Sequence, residues 1–164
     1  MDWQISDRFD PQGALLADRH YSRRTPGSPQ FVAPGRCFVL RISDLALWVT
    51  HWPKAEYTRH AWPGAWVCAL FRNEGAGLSS TLIRSAVAAT RSRWDPPVEG
   101  MITFVNAQKV KPSSNPGFCF IAAGFEPIGW TKGGHGRNPL RVLRLTVDNM
   151  PEAVAPRNAQ LRLI

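Results

Sequence analysis

Two stretches of the 164-residue chain hold groups that can do chemistry. The first is a glycine corner, Arg72-Asn73-Glu74-Gly75-Ala76-Gly77, set between an apolar run, Ala65 to Phe71, and a helical pattern that begins near Leu78. Backbone amides at a helix N-terminus attract an anion because their donors are unpaired and the helix dipole favours negative charge. Glycine lets a phosphate come close. Phe71, Arg72, Asn73, Gly75, Ala76, Gly77 and Ser79 are therefore the candidate cofactor-binding residues, with the Arg72 guanidinium placed to neutralise a phosphate. The order is neither GxGxxG nor a GK[ST] phosphate loop, so dinucleotide and nucleoside triphosphate readings lose their specific support. Ser79 and Ser80 read as helix-start hydrogen bonders, since neither sits in a strained elbow.

The second stretch is His20-Tyr21-Ser22-Arg23-Arg24, at the entrance to a loop rich in Pro and Gly. A histidine titrates in the range of a general base, and a tyrosine can donate a proton or stack a base. Both also serve as packing residues, and the sequence leaves that alternative open. Trp52, Tyr57, Trp62 and Trp66 lie near His51 and His60 and offer rings on which a flipped base can stack, although Trp66 belongs to the apolar run and reads as core. Arg23, Arg24, Lys109, Lys111, Lys132 and Arg137 are candidate phosphate contacts; scattered, they would only solvate the surface. The three cysteines, Cys37, Cys68 and Cys119, have no paired spacing, so reduced thiols and no metal site are expected.

These groups need a scaffold, and the length fits one domain able to bury a real core. Cys37 to Ile42 and Leu45 to Thr50 read as a hairpin around Ser43-Asp44. The segment from His51 to Pro63 reads as an irregular surface excursion. Ala65 to Phe71 reads as a strand buried on both faces. A helix with Leu78, Leu82, Ile83, Ala86 and Val87 on one stripe follows it, and Met101 to Val105 is the next strand. Strand, corner, helix and strand make a right-handed parallel crossover. Pro116 to Ala123 suits a short helix, and Phe125 to Trp130 and Arg141 to Val147 read as strands. Residues 151–164 read as a loosely held tail.

The net charge is +8, divided unevenly. Residues 1–82 hold nine basic and seven acidic side chains, and 83–164 hold eleven and five, so the second half points to an anionic partner or a phosphate-bearing cofactor. No apolar stretch approaches a membrane span, and Met1 to Asp10 lacks the pattern of a signal peptide, so a cytoplasmic protein is expected.

The pattern Arg72-x-x-Gly75-x-Gly77 after a central strand, with Gly124-Phe125 leading into a later one, resembles the GNAT acyltransferase superfamily. The resemblance implies a mixed central sheet of six to seven strands with helices on both faces, an α/β (α+β) domain over 1–150, and acyl-CoA or a related donor held at the corner. It also implies that Ala65–Phe71 and Met101–Val105 splay apart to admit the acyl arm. Phe120 stands where many such enzymes carry a proton-donating Tyr.

His20-Tyr21-Ser22, Arg72-Asn73, Thr103-Phe104-Val105-Asn106 and Gly117-Phe118-Cys119-Phe120 together look like the Mom family, GNAT-like phage proteins that modify adenine in DNA and protect it from restriction. That resemblance implies His20, Tyr21 and Asn106 as the catalytic set, with Asn106 in place of the family's Asp, and DNA as the partner. Asparagine cannot take a proton as an aspartate does, so the base falls to His20 or the activity is altered. Two other functions stay open: a conventional acyl-CoA-dependent N-acetyltransferase and a non-catalytic DNA-binding module.

Overall fold

The structure, a computed structural model, describes residues 2–23, 25–109 and 115–158. Among these, seven strands form one mixed sheet: β1 (Gln4–Ile5), β2 (Arg36–Ile42), β3 (Ala46–Trp52), β4 (Trp66–Asn73), β5 (Met101–Val105), β6 (Glu126–Trp130) and β7 (Arg141–Leu145). Their order across the sheet is β1-β2-β3-β4-β5-β7-β6. All neighbours are antiparallel except β4 and β5, which are parallel and joined by the crossover helix α2 (Ser79–Arg93). Helix α1 (Pro11–Asp18) covers one face, and α2 with α3 (Phe118–Ala122) covers the other. The expected mixed α/β sheet is present, with few helices.

Alternation along β3 shows how the two faces are built. Ala46 and Trp48 join the larger core under α2, while Leu47 and Val49 join the smaller core under α1 with Leu16, Ala17 and Leu70. Period-two alternation sends successive side chains to opposite faces, and here both faces are covered, so the strand is apolar from Ala46 to Val49. Helix α1 starts at Asp10, whose carboxylate accepts from the Gln12 amide at 3.0 Å, with Pro11 at the first helical position. The same carboxylate takes the Arg41 Nε of β2 at 2.6 Å, which fastens the helix to the sheet.

Three differences from the sequence reading have physical causes. Strand β1 has only two residues, too few for periodicity to announce. The segment from His51 is not all surface excursion: β3 runs on to Trp52, whose ring packs edge-on against Trp66 at 6.0 Å and also against Trp94. The aperiodic tail is held by single bonds rather than by an element. Over 151–158, the Val154 amide donates to Ala88 O at 3.1 Å, and Asn158 exchanges hydrogen bonds with both backbone groups of Ile5.

A buried polar chain links the sheet to α2. The Trp48 indole donates to Thr50 Oγ1 at 2.7 Å, Thr50 and Thr90 hydroxyls meet at 3.1 Å, and Thr90 returns its proton to Ala86 O at 2.8 Å. Thr50 already accepts from the indole, so its own proton goes to Thr90 and every member is satisfied. Thr90→Val keeps the shape but strands the Thr50 proton in the core. A loss of about 1–3 kcal/mol of stability is expected in urea unfolding; an unchanged midpoint would show that the chain carries no energy.

Candidate functional site

Central strand β4 breaks in the middle. Its partners on β3 are Val49 for Leu70 and Thr50 for Cys68, so Ala69 is an extra residue, a β-bulge. Its partners on β5 are Trp66–Met101, Val67–Ile102 and Cys68–Thr103, and there the pairing stops. Ala69 therefore has no register partner on either side. A bulge bends the strand that carries it, and β4 beyond Cys68 leans away from β5. The consequence is visible in exposure: Ala69 is exposed in the middle of a central strand.

The gap is a cleft of about 280 Å³ that passes between the strands. Its walls are Val67 to Phe71 on one side and Thr103 to Asn106 on the other, closed by Phe120 and Leu140, with His20, Tyr21, Ser22 and Lys109 at the opening. The adjacent pair His20 and Tyr21, and Asn106 far from it in sequence, thus share one cleft. Helix α1 places two of them. It ends at Asp18, the His20 amide folds back to Ala17 O at 2.9 Å, and His20 and Tyr21 project from the turn.

Their hydrogen bonds fix what each can do. His20 Nδ1 accepts from the Ser22 backbone amide at 3.1 Å and lies 2.7 Å from the Ser22 hydroxyl, an assignment that leaves the ring proton on Nε2. Burial, reinforced by the nearby Arg72 guanidinium, pushes the His20 pKa down to about 4. The ring is neutral at physiological pH and presents a donor. Tyr21 stacks on it with centroids 4.4 Å apart, and burial raises the phenol pKa, so it too holds its proton. The Asn106 amide makes a long 3.5 Å bond to Tyr21 Oη, which leaves the phenolic proton to point elsewhere. Asn106 Oδ1 accepts from the Gln108 amide at 3.2 Å and from Asn138 Nδ2 at 3.3 Å, so it is Nδ2 that can address a ligand. His20, Tyr21 and Asn106 all face the cleft as donors. The expectation of His20 as a base does not fit this tautomer.

The glycine corner is placed at the end of β4 as expected, but Gly75, Ala76, Gly77 and Ser79 do not line the cleft; Phe71 does. Asn73 folds into the corner. Its Oδ1 accepts from the Gly75 amide at 3.1 Å and the Ala76 amide at 2.9 Å, while its Nδ2 donates to Gly77 O and Ser79 Oγ. Two of the expected phosphate-binding amides are thus taken by the chain itself. Gly75 and Gly77 have φ of 103° and 151°, and the space beside Gly75 is open, which only glycine adopts without strain. The first turn of α2, after Leu78, has no side-chain cap. Arg72 is also engaged: Nε donates to Glu74 Oε2 at 2.8 Å and Nη1 to Arg19 O at 2.9 Å. Glu74 takes Arg19 Nε on the same oxygen at 2.7 Å, and hydrogen bonds from Arg19 and then Arg72 hold its carboxyl below the usual range.

The expected phosphate contacts divide. Arg23 is not free for DNA. Its side chain is 8% exposed, paired with Asp18 at 2.8 Å and bonded to Gln30 O and Ser28 O, and so ties down the loop behind His20. Lys109, Lys132 and Arg137 are exposed, Lys109 on the cleft rim. Arg24 and Lys111 lie outside the described residues. The aromatic set is elsewhere: Trp66 is buried, Trp52 packs on it under Arg36, and Trp62 with His60 packs on Phe104. Of that group only Phe104 reaches the cleft. Among the described residues no three His, Cys, Asp or Glu side chains gather as a metal site, and no helix is long and apolar enough to cross a membrane.

Sequence reasoning missed the self-capping by Asn73 and the donor character of Asn106. Asn two residues before Gly75, and two before Gln108, is a short-range Asx pattern that carries the signal for both. Comparison of the chain with protein-family models, with curated proteins and with solved structures finds no match.

The depressed His20 pKa has a measurable consequence. Between about 4 and the unfolded value of 6.5 the unfolded chain binds more protons, so the stability due to neutral His20 is complete above 6.5 and is lost as pH falls towards 4. Urea midpoints of the native protein are expected to drop more than those of His20→Gln between neutral pH and the lower end of that window. Nitrogen NMR is expected to show a neutral ring protonated at Nε2 at pH 6; titration near 6.5 would refute the assignment.

Proposed function

We propose that the protein is a GNAT-like transferase that passes an acyl-type group from a phosphate-bearing thioester donor, acyl-CoA or a relative, to an exocyclic amine of a DNA base, as the Mom resemblance implies for adenine. The observation that carries this reading is the wedge between β4 and β5, opened by the Ala69 bulge and met at its mouth by His20, Tyr21 and Asn106. The strand order, with one parallel pair at its centre, agrees with it.

An extended donor arm enters the wedge alongside β4 and puts its thioester carbonyl beneath His20. The donor's phosphates fall to the uncapped first turn of α2, and for them to engage Arg72 they must exchange with the Glu74 carboxylate. The acceptor nitrogen attacks the carbonyl carbon. A C–N bond forms, and negative charge moves to the carbonyl oxygen. The Nε2–H of His20 and the amides on the open edge of β4 stabilise that oxyanion. Collapse breaks the C–S bond, and the departing thiolate takes the Tyr21 phenolic proton, which solvent replaces. Tyr21 supplies the acid that Phe120 cannot, and the two line the same cleft.

The lining contains no Asp or Glu, and the cation at its rim is Lys109. An aliphatic amine is protonated at neutral pH and needs a base before it can attack, so this cleft suits it poorly. A nucleobase amine starts neutral, and once it has attacked it is acidic enough to lose its proton to water. It needs orientation, and three aimed donors provide that.

The test is mass spectrometry of nucleosides from DNA incubated with the protein and an acyl-CoA donor. A nucleoside of raised mass is expected, absent with His20→Ala. Tyr21→Phe is expected to slow transfer by about 10²–10⁴-fold while leaving donor binding intact, as loss of a proton donor should. Ala69→Leu fills the wedge and is expected to abolish donor binding in a folded protein. An unchanged nucleoside profile with every common short-chain donor would sink the reading.

A further inference from the structure

The segment from 100 to 147 contains a single carboxylate, Glu126, against Lys109, Lys111, Lys132, Arg137, Arg141 and Arg144. Among the described residues, the carboxylates that form ion pairs hold Arg19, Arg23, Arg41, Arg72 and Arg157, and none pairs with Lys109, Lys132 or Arg137. Lys132 and Arg137 on the β6–β7 hairpin, at one end of the strand order, and Lys109 on the cleft rim thus carry charge that no ion pair compensates. The hairpin root is fixed. The Thr131 amide donates to Leu140 O and the Leu140 amide to Thr131 Oγ1, both at 2.8 Å, while the glycine-rich tip folds over a Gly134–Arg137 pair.

Two features tie this hairpin to the cleft: Leu140 is part of the wall, and Asn138 Nδ2 donates a hydrogen bond to Asn106 Oδ1. At its root stands Trp130, 56% exposed, an unusual position for the largest apolar side chain. Register places it. Trp130 pairs with Arg141, and Arg141 pairs with Val105, so the three form one row across β6, β7 and β5, level with the cleft mouth. Two strand spacings, about 10 Å, separate the indole's strand from β5.

We propose that the β6–β7 hairpin is a grip for single-stranded or locally opened DNA, in which Trp130 stacks on a base next to the target and Lys132, Arg137 and Lys109 follow the phosphates. This rests on the reading of DNA as substrate and adds the contact that holds the strand. A base amine paired in a duplex is out of reach of a narrow wedge, so the strand must be opened, and an opened strand needs a ring to replace the lost stacking. An exposed indole bordered by unpaired cations meets that need. A solvated surface needs only the cations. The hydrogen bond from Asn138 makes the hairpin also the support of Asn106, so a strand drawn along the hairpin arrives at the donor that would orient its amine.

Fluorescence anisotropy of labelled single-stranded and duplex oligonucleotides, without any acyl donor, tests the proposal. The native protein is expected to prefer the single strand. Trp130→Ala is expected to weaken that binding about tenfold, the worth of one base–aromatic stack, with Trp130→Phe retaining most of it. Lys132→Ala combined with Arg137→Ala is expected to lower the slope of log K against log salt by about 1.4, two phosphate contacts on a single strand. Equal binding by the native protein and a folded Trp130→Ala, an unchanged salt slope, or preference for duplex overturns the grip. No binding of either oligonucleotide overturns it together with DNA as the substrate, whereas Trp130-dependent binding without any change in nucleoside mass leaves the grip standing and removes the transfer.

Discussion

Everything at the site depends on one residue too many in β4. Without the bulge at Ala69 the parallel ladder with β5 would continue past Cys68–Thr103, the cleft would close, and His20 and Tyr21 would face a continuous sheet. Opening a central ladder leaves backbone donors and acceptors unpaired, a cost that persists only where the rest of the fold overrides it. Here the override comes from both sides. The β3–β4 pairing resumes at Leu70 beyond the bulge, and Phe71 beneath it is wedged between Trp48 and Phe120 in edge-on contacts of 5.8 and 6.1 Å. The strand is bent and then held bent by aromatic packing.

Much of this was legible in the chain, for reasons that separate cleanly. Ala65 to Phe71 is apolar throughout and Met101 to Val105 apolar but for Thr103 because both faces of the sheet are covered, and the helix between them shows its buried stripe plainly. Those signals are local and periodic. The convergence of His20, Tyr21 and Asn106 followed from resemblance, not pattern, since Tyr21 and Asn106 are separated by 85 positions and only the turn after α1 brings them together. What stayed hidden was the direction of hydrogen bonds. The sequence names Asn73, Glu74 and Asn106 but not which atom of each is already spent. Arg23 shows the same limit: read as an exposed cation, it is instead the anchor of the loop, because the carbonyls of Ser28 and Gln30 fold back onto it.

Two clusters of donors, the amides of the glycine corner and the Arg19–Arg72 pair, sit side by side, and the chain satisfies both of them itself. Asn73 supplies a carbonyl oxygen to the amides of the corner, and Glu74 supplies a carboxylate to Arg19 and Arg72. Both are exposed enough to give way: the Arg19 and Arg72 side chains are 47% and 35% exposed, and pairs so open to water contribute little to stability. On the proposed reading, a donor phosphate would find its partners already oriented and weakly committed. It would lose less by displacing Glu74 than by ordering two free arginines, because their side-chain entropy has already been spent in folding.

The electrostatics of the cleft follow from the same economy. Burial disfavours a charged His20, and the nearby Arg72 guanidinium adds to it, so the imidazole stays neutral with its proton on Nε2. A cationic ring would be the stronger donor, but it would need a counter-ion that the lining does not contain. In the proposed transfer, a neutral donor would answer charge only as it develops on the carbonyl oxygen, at no cost in the ground state. Tyr21, protonated and stacked on the ring, is poised in the same way. A site made of neutral donors, with its cations kept to the rim, repels protonated amines and tolerates neutral ones. In the proposed transfer, the choice of acceptor would therefore be set by charge before any contact with the acceptor's shape is made.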